Sequence, residues 1–224
     1  MSNPSFRPFA DRGECLQQLA TDIAAQLRQH AAPASLLLPG GSSPQALLPL
    51  LATQALSWAD CRVSPTDERW VPARHAQSNW QLLSRGLPAA HCLDPRLHSD
   101  PELAAAAWSE ALQDWLPFNA VLLGMGEDAH IASLFPGMPG LARALDPSLQ
   151  PAALAGRAPE PPHIRLTLNL AMLLGTRWLG LLAFGERKRE LLEAVLADNP
   201  GSREWPLHAL LWQPRVPLNI YWAP

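Results

Sequence analysis

The chain has 224 residues, of which 48% are hydrophobic and 17% charged, a balance typical of a folded globular protein rather than a disordered one. Its formal net charge is -3 and it has no basic run, so neither a nucleic-acid surface nor an anionic membrane surface is indicated. The three cysteines are scattered and form no C-x-x-C pair, which indicates a reducing compartment rather than a disulfide framework.

Targeting and membrane-spanning segments are not evident in the sequence. The N-terminus lacks the apolar core of a signal peptide, and no apolar stretch is long enough to cross a bilayer. We therefore expect a cytoplasmic protein. No break in composition divides the chain, so residues 1–224 are interpreted as a single α/β domain.

The beginning of the chain predicts a helix, a strand and a turn. Apolar residues recur every three or four positions from Ala10 to His30, the period of a helix with one buried face. The run from Ser35 to Leu38 predicts a buried strand that stops at Pro39-Gly40-Gly41.

The segment Gly40-Gly41-Ser42-Ser43 is the first candidate site. Either Ser42 or Ser43 can cap the helix that follows, and Pro44 suits the first turn of that helix. A glycine-rich turn from a strand into a helix presents free backbone N–H groups that can bind an anion. The same residues also fit an ordinary tight turn before a capped helix, so both interpretations stay open here.

Charged residues follow the next predicted strand, from Cys61 to Ser64. The segment Thr66-Asp67-Glu68-Arg69 lies at the carboxyl end of that strand. Three consecutive charges are typical of a solvated loop. Their position at a strand end nevertheless suggests a crevice shared with the other polar segments.

Two helices are predicted next. Ser78 can cap a short helix that extends to Leu83, and a second amphipathic helix is predicted from Pro101 to Leu116. The apolar residues near one face of the second helix are Leu103, Ala107, Leu112 and Trp115.

The central stretch runs from Val121 to Gly137 and reads V-L-L-G-M-G-E-D-A-H-I-A-S-L-F-P-G. An apolar run that ends in Gly124 and Gly126 predicts a buried strand followed by a loop. Ligands of open α/β sheets bind outside the carboxyl ends of the strands, so Asp128 and His130 lie where chemistry is expected. A lone histidine in such a loop is also often only solvated or hydrogen-bonded, which is the alternative for His130.

The last third of the chain continues the alternation of predicted strands and helices. Pro147 to Pro162 is interpreted as an irregular surface excursion, order resumes at Arg165–Leu168, and Trp178 to Phe184 predicts a buried strand. Glu186 to Leu196 predicts the next helix, and Val216 to Trp222 predicts an edge strand. Alternating strands and helices indicate a mostly parallel sheet that is covered on both faces.

Four ordered segments resemble the 6-phosphogluconolactonase family, which shares its fold with the glucosamine-6-phosphate deaminases. They are Leu36–Pro44, Thr66–Pro72 with Ser78-Asn79, Leu122–Gly137 and Arg165–Lys188. The resemblance implies an α/β fold, a three-layer α/β/α sandwich with a mostly parallel, Rossmann-like sheet. It implies hydrolysis of 6-phospho-D-glucono-1,5-lactone to 6-phospho-D-gluconate in the oxidative pentose phosphate pathway, with no metal and no cofactor.

The resemblance also assigns roles to residues. His130 corresponds to the general base, and Asp67 would face the sugar ring. Asp128 could orient the ring of His130 or stabilise the imidazolium that forms. A neutral imidazole near pH 7 can take a proton from an attacking water, which agrees with the role of His130. Glu68 is expected to point away as a solvated or structural residue. The substrate- and phosphate-binding residues implied are Gly40, Gly41, Ser42, Ser43, Arg69, Arg165 and Lys188.

One local feature separates the two branches of the superfamily. The deaminases resemble the pattern His-Ile-Ala-Phe-Asn-Glu-Pro, and Phe135 stands here in the place of its Glu. The ligand expected is therefore a sugar-phosphate lactone, bound by a monomer or small homo-oligomer. The alternatives are a glucosamine-6-phosphate deaminase or isomerase, and a sugar-phosphate-binding protein that is catalytically weak.

Several positions depart from the lactonase pattern. Ala129 stands where the family usually has Gly, and a methyl group would be costly there if the backbone needs a positive φ. Ile131 replaces a typical Thr, Ser43 replaces a Thr but keeps the hydroxyl, and no Asp accompanies Tyr221-Trp222.

Overall fold

A parallel sheet forms the centre of the molecule. The computed structural model describes residues 4–29 and 32–224, which contain ten strands and eight α-helices. The strands are β1 (Ser5–Pro8), β2 (Ala34–Leu38), β3 (Cys61–Pro65), β4 (Asp67–Arg69), β5 (His91–Cys92), β6 (Ala120–Gly124), β7 (Ala153–Arg157), β8 (Ile164–Leu168), β9 (Leu179–Phe184) and β10 (Leu218–Ala223). The helices are α1 (Arg12–Arg28), α2 (Ser42–Ala52), α3 (Asn79–Gly86), α4 (Pro101–Gln113), α5 (Leu141–Ala144), α6 (Leu170–Leu173), α7 (Glu186–Leu196) and α8 (Pro206–Trp212).

Seven strands pair in the order β1-β10-β9-β6-β2-β3-β5, and every neighbouring pair is parallel. The prediction of a mostly parallel sheet is therefore confirmed. Strand β6 occupies the middle of the order, with β9 on one side and β2 on the other. The loop after β6 consequently leaves the sheet at the centre of its carboxyl edge.

Both faces of this sheet are covered, as alternate side chains of β6 show. Ala120 and Leu122 pack into the same buried cluster as residues of α1, α2 and α3. Val121 and Leu123 pack into the other cluster, with residues of α4, α6, α7 and α8. Strands buried on both faces read as continuous apolar runs, which is why β2, β6 and β9 were visible in the sequence.

The C-terminal strand β10 is not at an edge, so that part of the prediction is wrong. It lies between β9 and β1, and Ser5 to Pro8 of β1 pair with Asn219 to Trp222. The pairing joins segments at opposite ends of the chain, and local sequence patterns report nothing about such partners.

A second, three-stranded sheet has the order β4-β8-β7 and is antiparallel. The segment Asp67–Arg69, whose charge run is typical of a loop, is a strand of this sheet. The irregular excursion predicted between Pro147 and Pro162 contains β7. Ala-Leu-Ala-Gly-Arg has a weak strand signature, and its order depends on pairing with β8.

Helix α1 confirms the predicted helix, whose last residue, His30, lies outside the described part of the chain. Asp11 caps it by accepting the backbone N–H of Glu14. Helix α7 has the predicted bounds, and α3 is capped by Ser78 as predicted.

Helix α4 buries a face that matches the predicted one at Leu112 but not at Leu103. Leu103 is 53% exposed, while Ala104, Ala105, Trp108 and Leu112 are buried. Trp108 donates its indole N–H to Ser64 Oγ at 3.1 Å. The large indole therefore fixes the rotation of the helix against the sheet, and Leu103 turns outward.

No helix among residues 4–29 and 32–224 is long and apolar enough to cross a membrane. The three cysteines are free; Cys15 and Cys61 are buried and Cys92 is half-buried. Burial raises the pKa of Cys15 to about 12 and that of Cys92 to about 11, so these thiols stay protonated at neutral pH.

Two leucines of α4 test the observed rotation of this helix. Leu112→Ala removes a fully buried side chain and is expected to lower the free energy of unfolding by about 2–5 kcal/mol. Leu103→Ala, the matched control on the exposed face, is expected to change it by less than about 0.5 kcal/mol. Urea denaturation measures both, and equal losses would contradict the rotation described here.

Candidate active site

A cleft lies where three neighbouring strands of the parallel sheet end. The residues after β2, β6 and β9 supply, respectively, the Gly40–Ser43 segment, the Gly126–His130 segment and Lys188. The carboxyl ends of parallel strands meet at one edge, and ligands of open α/β sheets bind there. Strand β4 of the small sheet adds Asp67 and Arg69 to the same cleft.

The Gly40–Ser43 segment enters helix α2 without a side-chain cap. Gly41 is the N-cap residue, with φ 105°, and Ser42 is already the first residue of the helix. The prediction that Ser42 or Ser43 caps the helix is therefore wrong. The first backbone N–H groups of α2 point out of the N-terminal end of the helix, which lies at the cleft. Because Gly41 has no side-chain oxygen to accept from these N–H groups, they can donate to an anion.

Asn79 explains why Gly40 is needed. A Cβ atom at Gly40 would lie 1.8 Å from Asn79 Oδ1, so any side chain at position 40 would displace the amide. Asn79 Nδ2 in turn donates to the backbone carbonyl of Asp67 at 2.7 Å. The amide thus connects the glycine turn to β4. Asn79 belongs to the segment Ser78-Asn79 that carries part of the family resemblance, but the sequence alone does not predict it as a site residue.

His130 and Asp128 form a close pair at the cleft. Asp128 Oδ1 lies 2.5 Å from His130 Nδ1 and also accepts the backbone N–H of His130 at 3.2 Å. Burial of the carboxylate works against its charge, but the hydrogen bonds and charge of His130 outweigh it and hold the pKa of Asp128 below its usual value. With Nδ1 engaged by a carboxylate, Nε2 is the nitrogen that can accept a proton.

The turn that carries this pair is tight. Ala129 has φ 65°, so the position does require the left-handed conformation that glycine adopts freely, at a cost of about 1–2 kcal/mol for alanine. The turn is held by three backbone hydrogen bonds, from Gly126 N–H to the His130 carbonyl, from Ala129 N–H to the Gly126 carbonyl and from Leu207 N–H to the Ala129 carbonyl. Ala129 and Ile131, which both depart from the family pattern, are fully buried in the core.

Asp67 is fixed by two hydroxyl groups. Ser133 Oγ donates to Asp67 Oδ2 at 2.6 Å, and Thr66 Oγ1 donates to Asp67 Oδ1 at 3.2 Å. The sequence alone does not predict Ser133 as a site residue. The signal was its place three residues after His130, in a loop whose polar residues are few.

Glu68 is fully buried, so the solvated alternative for it is wrong and the structural one is confirmed. Its carboxylate accepts the backbone N–H groups of Asn79 and Trp80 at 2.8 and 2.7 Å, and Arg96 Nη1 lies 3.1 Å away. Burial raises the pKa of Glu68 above its usual value, against the effect of these donors. Glu68 thereby holds the N-terminus of α3, which carries Asn79, against β4.

The three cations predicted to bind the substrate differ in whether they line the cleft. Lys188 and Arg69 line the cleft, and Arg69 Nη1 donates to the Gln77 carbonyl at 2.9 Å. Arg165 is 7% exposed, stands opposite Arg69 in the β4–β8 register and donates to the Pro162 carbonyl. It is not among the residues that line the cleft.

Electrostatics around the cations favour an anion. Burial, with the positive charge of Arg12, lowers the pKa of Lys188 below its usual value despite the charge of Glu127. Burial and the neighbouring Arg69 likewise lower the pKa of Arg165. Partly buried cations close to each other are stabilised by an anion that neutralises them.

The side chains described in residues 4–29 and 32–224 include no group of three or more His, Cys, Asp or Glu that could hold a metal ion. The cleft brings together the imidazole of His130, the carboxylate of Asp67, backbone N–H groups and the cations Arg69 and Lys188.

The chain is similar to known proteins along nearly its full length. The family model for glucosamine-6-phosphate isomerases/6-phosphogluconolactonase matches residues 10–222. A protein of Pseudomonas putida named 6-phosphogluconolactonase is 38% identical over 225 residues, covering 96% of this chain and 91% of that protein. One of Pseudomonas aeruginosa with the same name is 39% identical and covers 96% and 93%.

A solved structure has the same fold. The crystal structure of a 6-phosphogluconolactonase from Shewanella baltica superposes with a TM-score of 0.90 at 32% identity, covering 99% of this chain and 98% of that one.

Gly126 provides a test of the His130–Asp128 pair. A Cβ atom at Gly126 would lie 2.2 Å from His130 Nδ1 and 2.5 Å from Asp128 Oδ1, so Gly126→Ala is expected to separate the two side chains. The measurement is the nuclear magnetic resonance signal of the hydrogen-bonded Nδ1 proton of His130, which should disappear. Gly201→Ala, where a Cβ atom meets nothing within 4 Å, is the control and should retain it. Persistence of the signal in Gly126→Ala would contradict the geometry.

Proposed function

The chain belongs to the 6-phosphogluconolactonase family of enzymes, and from that premise we propose that it hydrolyses 6-phospho-D-glucono-1,5-lactone to 6-phospho-D-gluconate, with His130 as the general base. The observation that carries the proposal is that His130, which is paired with Asp128, lines the same cleft as the Gly40–Ser43 turn and Lys188. A base and an anion-binding end in one cleft fit a substrate that has a reactive carbonyl and a phosphate.

In the proposed mechanism, His130 Nε2 removes a proton from a water molecule as its oxygen attacks the lactone carbonyl carbon. The bond from that carbon to the ring oxygen then breaks, and the imidazolium returns the proton to the ring oxygen as it becomes a hydroxyl group. The carboxylic acid formed ionises in solution. Asp128 remains ionised throughout, keeps Nδ1 protonated and stabilises the imidazolium.

The phosphate of the substrate is proposed to bind at the N-terminus of α2. Backbone N–H groups of Ser42 and Ser43 would donate to it, the helix dipole favours its negative charge, and Lys188 supplies a side-chain cation. Arg165 is proposed to act behind Arg69 rather than in direct contact, because it is buried and does not line the cleft.

Asp67 and Arg69 are proposed to bind the sugar ring and the anionic part of the ligand. Both reach the cleft from β4, and Asp67 is an acceptor fixed in place by two hydroxyl groups. A fixed acceptor can orient a sugar hydroxyl, which would hold the carbonyl carbon beside His130.

The surroundings of His130 support lactone hydrolysis over deamination. Phe135, at the position where the deaminase pattern has Glu, places its ring centroid 4.5 Å from that of His130. An aromatic ring there supports the imidazole by packing and supplies no carboxyl group for a proton relay. Hydrolysis of a lactone requires one base and a positioned carbonyl, both of which the cleft can provide.

The first test compares the protein with a His130→Asn variant. The wild type is expected to release acid from freshly generated 6-phosphogluconolactone faster than the spontaneous reaction, measured with a pH indicator. His130→Asn should lose roughly 10²- to 10⁴-fold of the turnover, because the general base is absent, while its affinity for 6-phosphogluconate by calorimetry should change by less than about threefold.

His91→Asn, an exposed histidine on β5, is the control and should keep wild-type turnover. A wild type that is no faster than background, or that forms ammonia from glucosamine 6-phosphate, would overturn the proposal. Full activity of His130→Asn would remove His130 from its role.

A second test follows from the lowered pKa of Lys188. Phosphate binding needs the charged lysine, so the affinity for 6-phosphogluconate should be full below that pKa and should fall as the pH rises through it, at a pH below the usual value for lysine. Lys188→Arg should flatten the fall, because arginine stays charged over this range. Calorimetry between about pH 7 and about pH 10 measures both, and identical slopes would exclude Lys188 as the titrating group.

A further inference from the structure

Ser133 links two parts of the molecule that come from different sheets. It lies in the loop after β6, three residues beyond His130, whereas its hydrogen-bond partner Asp67 belongs to β4 of the small sheet. The Oγ–Oδ2 distance is 2.6 Å, and Ser133 is 1% exposed. A short bond from a hydroxyl group to a carboxylate inside a protein is among the stronger hydrogen bonds.

The backbone of Ser133 is held by the same sheet. Its N–H donates to Thr167 Oγ1 at 3.1 Å, and Thr167 is the residue paired with Asp67 across the β4–β8 register. Thr167 is fully buried. One residue of the His130 loop therefore contacts both members of one strand pair, through its side chain and through its main chain.

We propose that Ser133 is a positioning residue of the reaction, which holds the Asp67 carboxylate as a fixed hydrogen-bond acceptor and sets its distance from His130. The inference rests on the proposed function, because Asp67 must orient the sugar ring for its position to matter. Ser133 itself touches neither the substrate nor the reacting atoms in this proposal, since it is buried behind Asp67 and does not line the cleft.

The geometry gives the Ser133–Asp67 bond two effects. The bond restricts rotation of the carboxylate. The other oxygen, Asp67 Oδ1, accepts from Thr66 Oγ1 at 3.2 Å and keeps the capacity to accept from a ligand hydroxyl group. The bond also ties the small sheet to the catalytic loop, so that a shift of β4 relative to β6 would break it. Orientation of a bound ring against a base depends on both effects.

The experiment is a double-mutant cycle of Ser133→Ala and Asp67→Ala. Ser133→Ala alone is expected to lower kcat for the lactone by roughly tenfold to hundredfold, the range for a lost hydrogen bond to a charged group. The inhibition constant of inorganic phosphate should stay unchanged, because the phosphate end of the cleft is untouched. In the Asp67→Ala background the further loss from Ser133→Ala should be less than about twofold.

A merely structural role of Ser133 predicts a different pattern. The loss would then be the same in both backgrounds, and that result would overturn the inference, as would a Ser133→Ala variant within about twofold of wild type. Ser202→Ala removes another buried hydroxyl group, which donates to the Asn199 carbonyl at 2.8 Å, and is the control expected to keep full activity.

Two measurements keep the inference testable in every case. If Ser133→Ala does not fold, Ser133→Cys keeps a donor of similar size but weaker strength, and an intermediate loss of kcat is expected from it. The same double-mutant cycle can be measured on the dissociation constant of 6-phosphogluconate, which does not require turnover. It therefore tests the coupling between Ser133 and Asp67 even if the wild type proves inactive on the lactone. Inactivity of the wild type overturns the proposed function, whereas absence of coupling in this binding cycle overturns the role of Ser133.

Discussion

The placement of β6 between β2 and β9 is the constraint on which the rest of this structure depends. Because the three strands pair in parallel, they all end at one edge of the sheet. Each strand is followed directly by a segment that carries polar groups of a different kind. A glycine turn at a helix N-terminus, an imidazole with its carboxylate, and a lysine in the first turn of α7 are brought together although they are far apart in the chain. The sheet itself is a rigid support buried on both faces, so these groups are held without needing contacts with one another.

The loop after β6 contains residues with an unfavourable backbone conformation. Ala129 and Ala132 both have a positive φ, at 65° and 47°. Residues with a positive φ persist only where their surroundings hold them. Here Leu207, at the N-terminus of α8, donates its backbone N–H to the carbonyl of Ala129. Gly126 leaves just enough space for the histidine and its carboxylate to pack over the turn. Helix α8, which no motif in the sequence marked, thereby contributes to the position of His130.

The small antiparallel sheet supplies the opposite wall of the cleft. Its strand β4 alternates inward and outward residues, so that Asp67 and Arg69 reach the cleft while Glu68 between them is buried. The three charges have separate physical roles: Glu68 binds the N-terminus of α3 and the Arg96 guanidinium, and it fixes the strand that presents its two neighbours. The charge run that resembles a solvated loop in sequence is thus a strand whose central member is structural.

The sequence by itself determined the elements whose signal is local. Strands β2, β6 and β9 are apolar runs bounded by Gly or Pro, and α1 and α7 have a helical period. Strand ends and the family pattern also predict His130, Asp128, Lys188 and Gly40–Ser43 as site residues. Only the tertiary structure decided that β10 is internal, that β4, β7 and β8 form a sheet, that Trp108 rather than Leu103 faces the core, and that Arg165 is buried opposite Arg69. The reason is that these features depend on partners distant in sequence, as with Ser133 and Asp67, which are 66 residues apart. Periodicity indicates that an element has a buried face, whereas the residues that occupy this face and the residues they meet are set by how the whole chain packs.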